Sequence, residues 1–204
     1  MDNKTKPVAG ELKAEIGRKA IHLLIALVPT IAALIDKTGP SNTALLLMAG
    51  VLIYTGAESM RFLGFSLPLI SSVTSVVLRR REQGRFALAP VTLGLGALLA
   101  LILFPPQAAA TAIYALAFGD SAASLIGKGL GRIRPAFLSG KSIEGCLACF
   151  AASALAAFLV FHDWKIAAAV GAASMVVDSL PFHEFDNLLL PLTAGLAAVV
   201  VCMI

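Results

Sequence analysis

Asp120 stands in the run Phe118-Gly119-Asp120-Ser121-Ala122-Ala123-Ser124-Leu125-Ile126-Gly127, which otherwise reads as membrane. A carboxylate in hydrocarbon costs roughly 2.5–3.5 kcal/mol on insertion scales, so a metal or a catalytic partner is expected to offset it. On a helix, Asp120, Ser124 and Gly127/Lys128 share one face. Beyond them come Gly129, Gly131, Arg132 and Arg134, then Gly140-Lys141-Ser142-Ile143-Glu144-Gly145. Carboxylates (Asp120, Glu144, Asp178, Asp186) suit Mg²⁺, a hard ion that keeps positions for phosphate oxygens. Cations and glycine backbone suit a polyphosphate. The residue types therefore describe a nucleotide–metal site open to lipid, where a membrane-dissolved alcohol could enter.

The elements that position these residues are read from composition. The 204 residues are 58% hydrophobic and 14% charged, against about 25% charged in soluble domains. Mean hydropathy is +0.88. The apolar runs are continuous rather than alternating, which predicts an all-α polytopic membrane protein and argues against a barrel. Seven spans are expected, near 20–35, 43–60, 87–104, 107–127, 143–161, 165–181 and 187–204. Residues 1–19 read as a cytoplasmic amphipathic arm and 20–204 as one membrane-embedded domain. Pro105-Pro106 and His162-Asp163 mark turns. Residues 66–78 are apolar but too short to span, and are expected in the interface.

Of the sixteen Lys and Arg, fourteen fall in the arm and in alternate loops, and two (Lys37, Lys165) in the others. The positive-inside rule then places the N-terminus in the cytoplasm and the C-terminus outside. Asp120, the 128–142 loop and Asp178 through Asn187 all gather on the cytoplasmic side, where nucleoside triphosphates are.

Each residue also has a plainer reading. Lys128, Arg132 and Arg134 could anchor headgroups, as could Arg79-Arg80-Arg81 and Arg85. Ser142 can cap a helix, Glu144 complements its dipole, and Ser124 can bond a backbone carbonyl. Asp178 could pair with a Lys as structural glue. Glu11, Glu15 and Lys19 at i,i+4 spacing suit a salt-bridged helix, with Arg18 and His22 beside them. Cys146 and Cys149 read as packing. No Walker A, kinase or GxSxG motif occurs.

Arg18-Lys19-Ala20-Ile21-His22, the Gly119-Asp120…Gly127-Lys128 string with Gly131, Lys141-Ser142-Ile143-Glu144-Gly145, and Asp186-Asn187 with Pro191 together carry a resemblance. The chain resembles the polyprenol kinase family, which includes dolichol, phytol and CTP-dependent diacylglycerol kinases and is distantly similar to phosphatidate cytidylyltransferases. The resemblance covers nearly the whole chain. It implies transfer of the terminal phosphate of CTP, or another NTP, to a lipid alcohol with Mg²⁺. It implies a catalytic set of Asp120, Lys128 and Lys141. With Arg132 added from the reading of the loop charges, the nucleotide set is Arg18, Lys19, Gly119, Ser124, Gly127, Gly131, Arg132, Ser142 and Gly145. The metal set is Asp120 with Glu144, Asp178 or Asp186. Asp178 is a shorter acid than the Glu that many members carry there. The base is Asp120 or another of these acids.

A membrane lipid and a nucleoside triphosphate are the expected partners, nucleic acid is not, and the expected location is a bacterial cytoplasmic membrane. Two other readings stand beside this one. Phosphatidate cytidylyltransfer would release pyrophosphate. A small ion-coupled transporter would line its path with Asp120 and Asp178.

Overall fold

The computed structural model describes residues 9–36, 41–65, 86–138, 140–182 and 185–204. Among these residues the regular structure is entirely helical. The helices are α1 (Ala9–Leu24), α2 (Leu27–Ile35), α3 (Ser41–Phe62), α4 (Ala89–Leu103), α5 (Pro106–Tyr114), α6 (Asp120–Gly129), α7 (Ile143–Phe161), α8 (Trp164–Ser179) and α9 (Asp186–Cys202). A π-helical turn, Ala115–Gly119, joins α5 to α6. The interfacial stretch expected over 66–78, the arginines at 79–81 and 85, and His183 and Glu184 lie outside the described residues.

Four stretches are long and apolar enough to cross a membrane: Glu15–Ile35, Asn42–Phe62, Pro106–Gly129 and Ile143–Phe161. Ala89–Leu103 and Asp186–Cys202 are shorter apolar helices. The expected boundary between arm and first span falls inside α1, which runs unbroken across residue 19. The break comes later, at Ile25 and Ala26. There Ile25 N–H bonds the His22 carbonyl at 3.2 Å and Ala26 N–H bonds that of Leu23 at 3.1 Å, the i→i−3 pattern of a tightened turn. Pro29 lies just beyond and has no N–H to continue the ladder.

The other ends follow local chemistry. Pro105 and Pro106 separate α4 from α5. Ser142 caps α7, its Oγ accepting from Gly145 N–H at 3.1 Å. His162 ends α7 in the left-handed region at φ 55°. The Asp163 carboxylate caps α8, accepting from Lys165 N–H at 2.6 Å.

Packing is inverted relative to a soluble protein. Leu46, Ile53, Leu147, Leu155 and Leu159 are exposed, whereas Glu15, Arg18, Lys19, His22, Glu58, Asp120 and Asp178 are buried. Bilayer makes that arrangement stable, because ionisable groups in membrane spans face the bundle interior. Small residues let the helices close up, as they do between membrane helices generally. Ala157, Val170, Leu190 and Ala194 form one core among α7, α8 and α9. Ala97, Ala100, Ala109, Ala112 and Ile113 form a second between α4 and α5. A Cβ on Gly96 would meet the Asn187 carbonyl oxygen at 2.1 Å, so α4 and α9 touch backbone to backbone. Asn187 locks that contact by donating to Thr92 Oγ1 at 3.2 Å.

Candidate active site

Glu15, Arg18, Lys19 and His22 of α1 fall on a single helical stripe. That stripe packs on α6. Lys19, fully buried, donates from Nζ to Asp120 Oδ2. His22 Nδ1 lies 3.0 Å from the same oxygen. One turn earlier, Glu15 pairs with Arg18 and, 2.5 Å away, with Lys128. The i,i+4 pair expected between Glu15 and Lys19 therefore gives way to contacts across helices. The reason is that this face of α1 is buried while Ile16, Leu23 and Leu24 face outward, so each charge on it needs a partner within the bundle. Glu15 and His22 were not among the sequence candidates for the site. The signal that finds them is the i, i+3, i+4, i+7 polar stripe running into an apolar span.

The π turn delivers Asp120 to this position. Such turns re-aim the residues that follow and recur at functional sites. Gly119 closes it: a Cβ there would lie 2.3 Å from Ser153 Oγ on α7. Asp120 thus sits where α6 is wedged between α1 and α7.

One turn further along the same face, α6 opens on a cavity of about 290 Å³. Ser124, Gly127 and Lys128 line it from α6, Lys141, Ser142 and Gly145 from the start of α7, and Asp178 from α8. Arg134 also borders it, while donating to the carbonyls of Gly127 at 2.5 Å and Gly140 at 2.6 Å. The 130–142 loop is thereby folded back over the end of α6. Glu144 holds the same loop, its Oε1 accepting from Arg132 N–H at 2.9 Å and Ile133 N–H at 3.1 Å. Arg132 itself projects outward and is exposed.

Two of the glycines are packing elements. A Cβ on Gly131 would lie 2.2 Å from the Gly127 carbonyl oxygen and 2.3 Å from Ser142 Oγ, and one on Gly145 2.8 Å from the Ala123 carbonyl oxygen. Gly129 has nothing within 4 Å. Gly131→Ala is therefore expected to destabilise the protein by about 1–3 kcal/mol, the range for overpacking, while Gly129→Ala leaves stability essentially unchanged. Thermal unfolding in detergent measures both, and equal melting temperatures for the two variants would show that the close packing at Gly131 carries no weight.

The four candidate acids do not converge. Asp120 faces Lys19 and His22, and Glu144 faces backbone amides. Asp178 and Asp186 meet at Lys141, whose Nζ lies 3.4 Å from Asp178 Oδ1, 3.0 Å from Asp186 Oδ2, and donates to the Asp178 carbonyl. Among the described residues no group of three or more His, Cys, Asp or Glu forms a metal cage. Three oxygens on one ammonium nevertheless make a cation-attracting point. Burial pulls the Lys141 ammonium pKa down, but Asp178 and Asp186 outweigh it and hold the value above the ordinary 10.5. Raised in the folded state, this group contributes stability fully present below 10.5 and lost only as pH climbs through the higher folded value. Lys141 is therefore charged throughout the neutral range.

No protein-family model matches the chain. Phytol kinase from Synechocystis sp. (strain ATCC 27184 / PCC 6803 / Kazusa) is 31% identical over 196 residues, covering 91% of this chain and 78% of that protein. The chain belongs to the polyprenol/phytol kinase family. No solved structure matches it. Membership gives the membrane helices and the polar seam among α1, α6 and α7 a common meaning, that of a lipid-alcohol kinase.

Proposed function

We propose that this family member transfers the terminal phosphate of CTP to a lipid alcohol at the cytoplasmic face of a bacterial membrane. The observation that carries the reading is the cavity beside Asp120, bordered by Lys128, Arg134 and Lys141. Three cations around one small cavity, next to a buried carboxylate, suit phosphate oxygens on one side and a lipid hydroxyl on the other. Seven crossings, with the N-terminus inside, put that cavity where the nucleotide is, in keeping with the clustering of Lys and Arg.

In this reading Lys128 and Lys141 receive the phosphate oxygens and neutralise the charge that grows on transfer. The Arg134 contacts keep the loop closed over the cavity. Lys19 and His22 fix the Asp120 carboxylate, which accepts the hydroxyl proton of the lipid. The alcohol oxygen bonds to the terminal phosphorus as the bridging oxygen leaves with CDP. Positioning and electrostatics supply most of the rate, as in phosphoryl transfer generally. Mg²⁺ fits at Asp178 and Asp186, since two carboxylates and a carbonyl already converge on a cation there, and one or two carboxylates plus phosphates are its usual ligands. Bound there, it would screen phosphate charge.

The test is purified protein with Mg²⁺, CTP or ATP labelled at the α or terminal phosphate, and a panel of phytol, polyprenol, diacylglycerol and phosphatidate. Terminal label should move to an alcohol, with CDP released. Transfer of α label to phosphatidate with pyrophosphate would establish the cytidylyltransferase instead, and ion flux without nucleotide a transporter.

A further inference from the structure

A second cavity, of about 560 Å³, lies at the far end of the bundle. Its walls come from α2, α4, α5 and α7, with Ala32, Ala109 and Ala110 among its apolar lining. Asp36 and Gln107 form a polar rim at one end, and Pro29 and Tyr114 mark the other.

Two columns of this cavity are the columns of the candidate active site. Along the α1–α2 column, Pro29 is seven residues and Asp36 fourteen residues beyond His22. Along the α5–α6 column, Tyr114 is six residues and Pro106 fourteen residues before Asp120. At 1.5 Å per residue, both columns place the near end about 10 Å from the Asp120–His22 pair and the rim about 21 Å from it. The Tyr114 and Phe118 rings are in contact, with centroids 5.9 Å apart. The pair runs from Tyr114 at the cavity's near end to Phe118 in the turn that presents Asp120. A zigzag chain of C–C bonds near 1.5 Å advances about 1.25 Å per bond. Roughly sixteen such bonds therefore reach from a hydroxyl at Asp120 to the rim.

We propose that this cavity holds the far half of the acceptor's hydrocarbon chain, and that Ala32 and Ala110, by staying small, set the chain length the protein accepts. The proposal rests on the lipid-alcohol kinase reading above for what stands at Asp120. It goes beyond that reading by assigning the tail a place and two residues that measure it. A chain lying along the outer lipid-facing surface would leave this volume without a role. A larger side chain at Ala110 shortens the usable space without touching Lys19, His22, Asp120 or the 290 Å³ cavity.

Two measurements on the full chain test it. The first compares kcat/KM for isoprenols of ten and twenty carbons (geraniol and geranylgeraniol) in wild type, Ala110→Trp and Ala110→Leu. The twenty-to-ten-carbon ratio should fall at least tenfold in the Trp variant and less in the Leu variant. An unchanged ratio overturns the assignment. The second needs no turnover and no variant: hexadecanol carrying a diazirine at its last carbon is photolysed with wild-type protein. Crosslinks should map to 29–36 and 101–114 and disappear with excess unlabelled alcohol. Crosslinks confined to the outer faces of α3 and α7 would overturn the assignment even in an active kinase. If no alcohol is phosphorylated and crosslinks still map to 29–36 and 101–114, the tail site stands and the kinase reading falls.

Discussion

Asp120→Asn is expected to reduce turnover by at least about 100-fold, the lower range for losing one group that stabilises a developing charge. The same substitution should also lower stability. It leaves the buried Lys19 ammonium beside His22 without its carboxylate, and breaking a buried pair from one side costs about 3–5 kcal/mol. Loss of activity alone would thus be open to a structural explanation. The pairing supplies the control. Lys19→Met together with Asp120→Asn removes both charges at once, and its melting temperature should return most of the way to wild type. Its activity should not return. A double variant that recovers turnover along with stability would show that Asp120 serves only to neutralise Lys19.

Lys141→Met is expected to produce the second large effect, a fall in kcat/KM of about 10²–10³-fold with the nucleotide KM raised. In the folded protein this lysine holds Asp178 and Asp186 together. Removing the ammonium brings two carboxylates into mutual repulsion and lowers stability. The variant should then respond to millimolar Mg²⁺ more strongly than wild type, because a ligand that binds only the native state raises the melting temperature by mass action. Adding Asp178→Asn and Asp186→Asn should abolish that response. A Lys141→Met protein whose melting temperature ignores Mg²⁺ would remove Asp178 and Asp186 from consideration as the metal ligands. This readout is independent of turnover, so it separates a cation site from a purely structural ion pair.

These two variants probe two polar clusters along one face of α6, and because Asp120 and Asp178 interact electrostatically their effects should not be strictly additive. Asp120 is held from the α1 side, through Lys19 and His22, while Lys141 reaches α8 and α9. Groups in separate clusters usually add in their effects on stability, whereas groups sharing a network do not. The geometry therefore divides the polar seam into a carboxylate wall and a cation wall, with Lys128 spanning between them through Glu15.

Much of the helical framework was legible in the sequence for local reasons. Unbroken apolar runs need their backbone hydrogen bonds satisfied internally, which selects helices in a bilayer. Pro105-Pro106 ends one ladder and starts another, Ser142 supplies an oxygen to a free N–H, and His162-Asp163 separates α7 from α8. Each depends on residues within a turn of one another. The stripe of Glu15, Arg18, Lys19 and His22 was legible too, as a pattern, and so was the oddity of Asp120 in an apolar run.

Tertiary structure decided the partners. Lys19 and Asp120 are 101 residues apart, and Lys141 and Asp186 are 45 apart. Periodicity says which face of a helix a side chain occupies but not what that face meets. A charge near the end of a span can be met by solvent, headgroup or another helix. Here the small residues let α6 close against α1 and α7, so the buried charges were left with one another. The π turn at Ala115–Gly119 belongs to the same category, since its residues have no distinctive local signature and the extra-wide turn is held by packing against α7. Composition and pattern therefore determined an all-helical membrane chain with an acid and cations awaiting partners. The close approach of helices distant in sequence chose those partners, because desolvation makes an unpaired buried charge the costliest arrangement available.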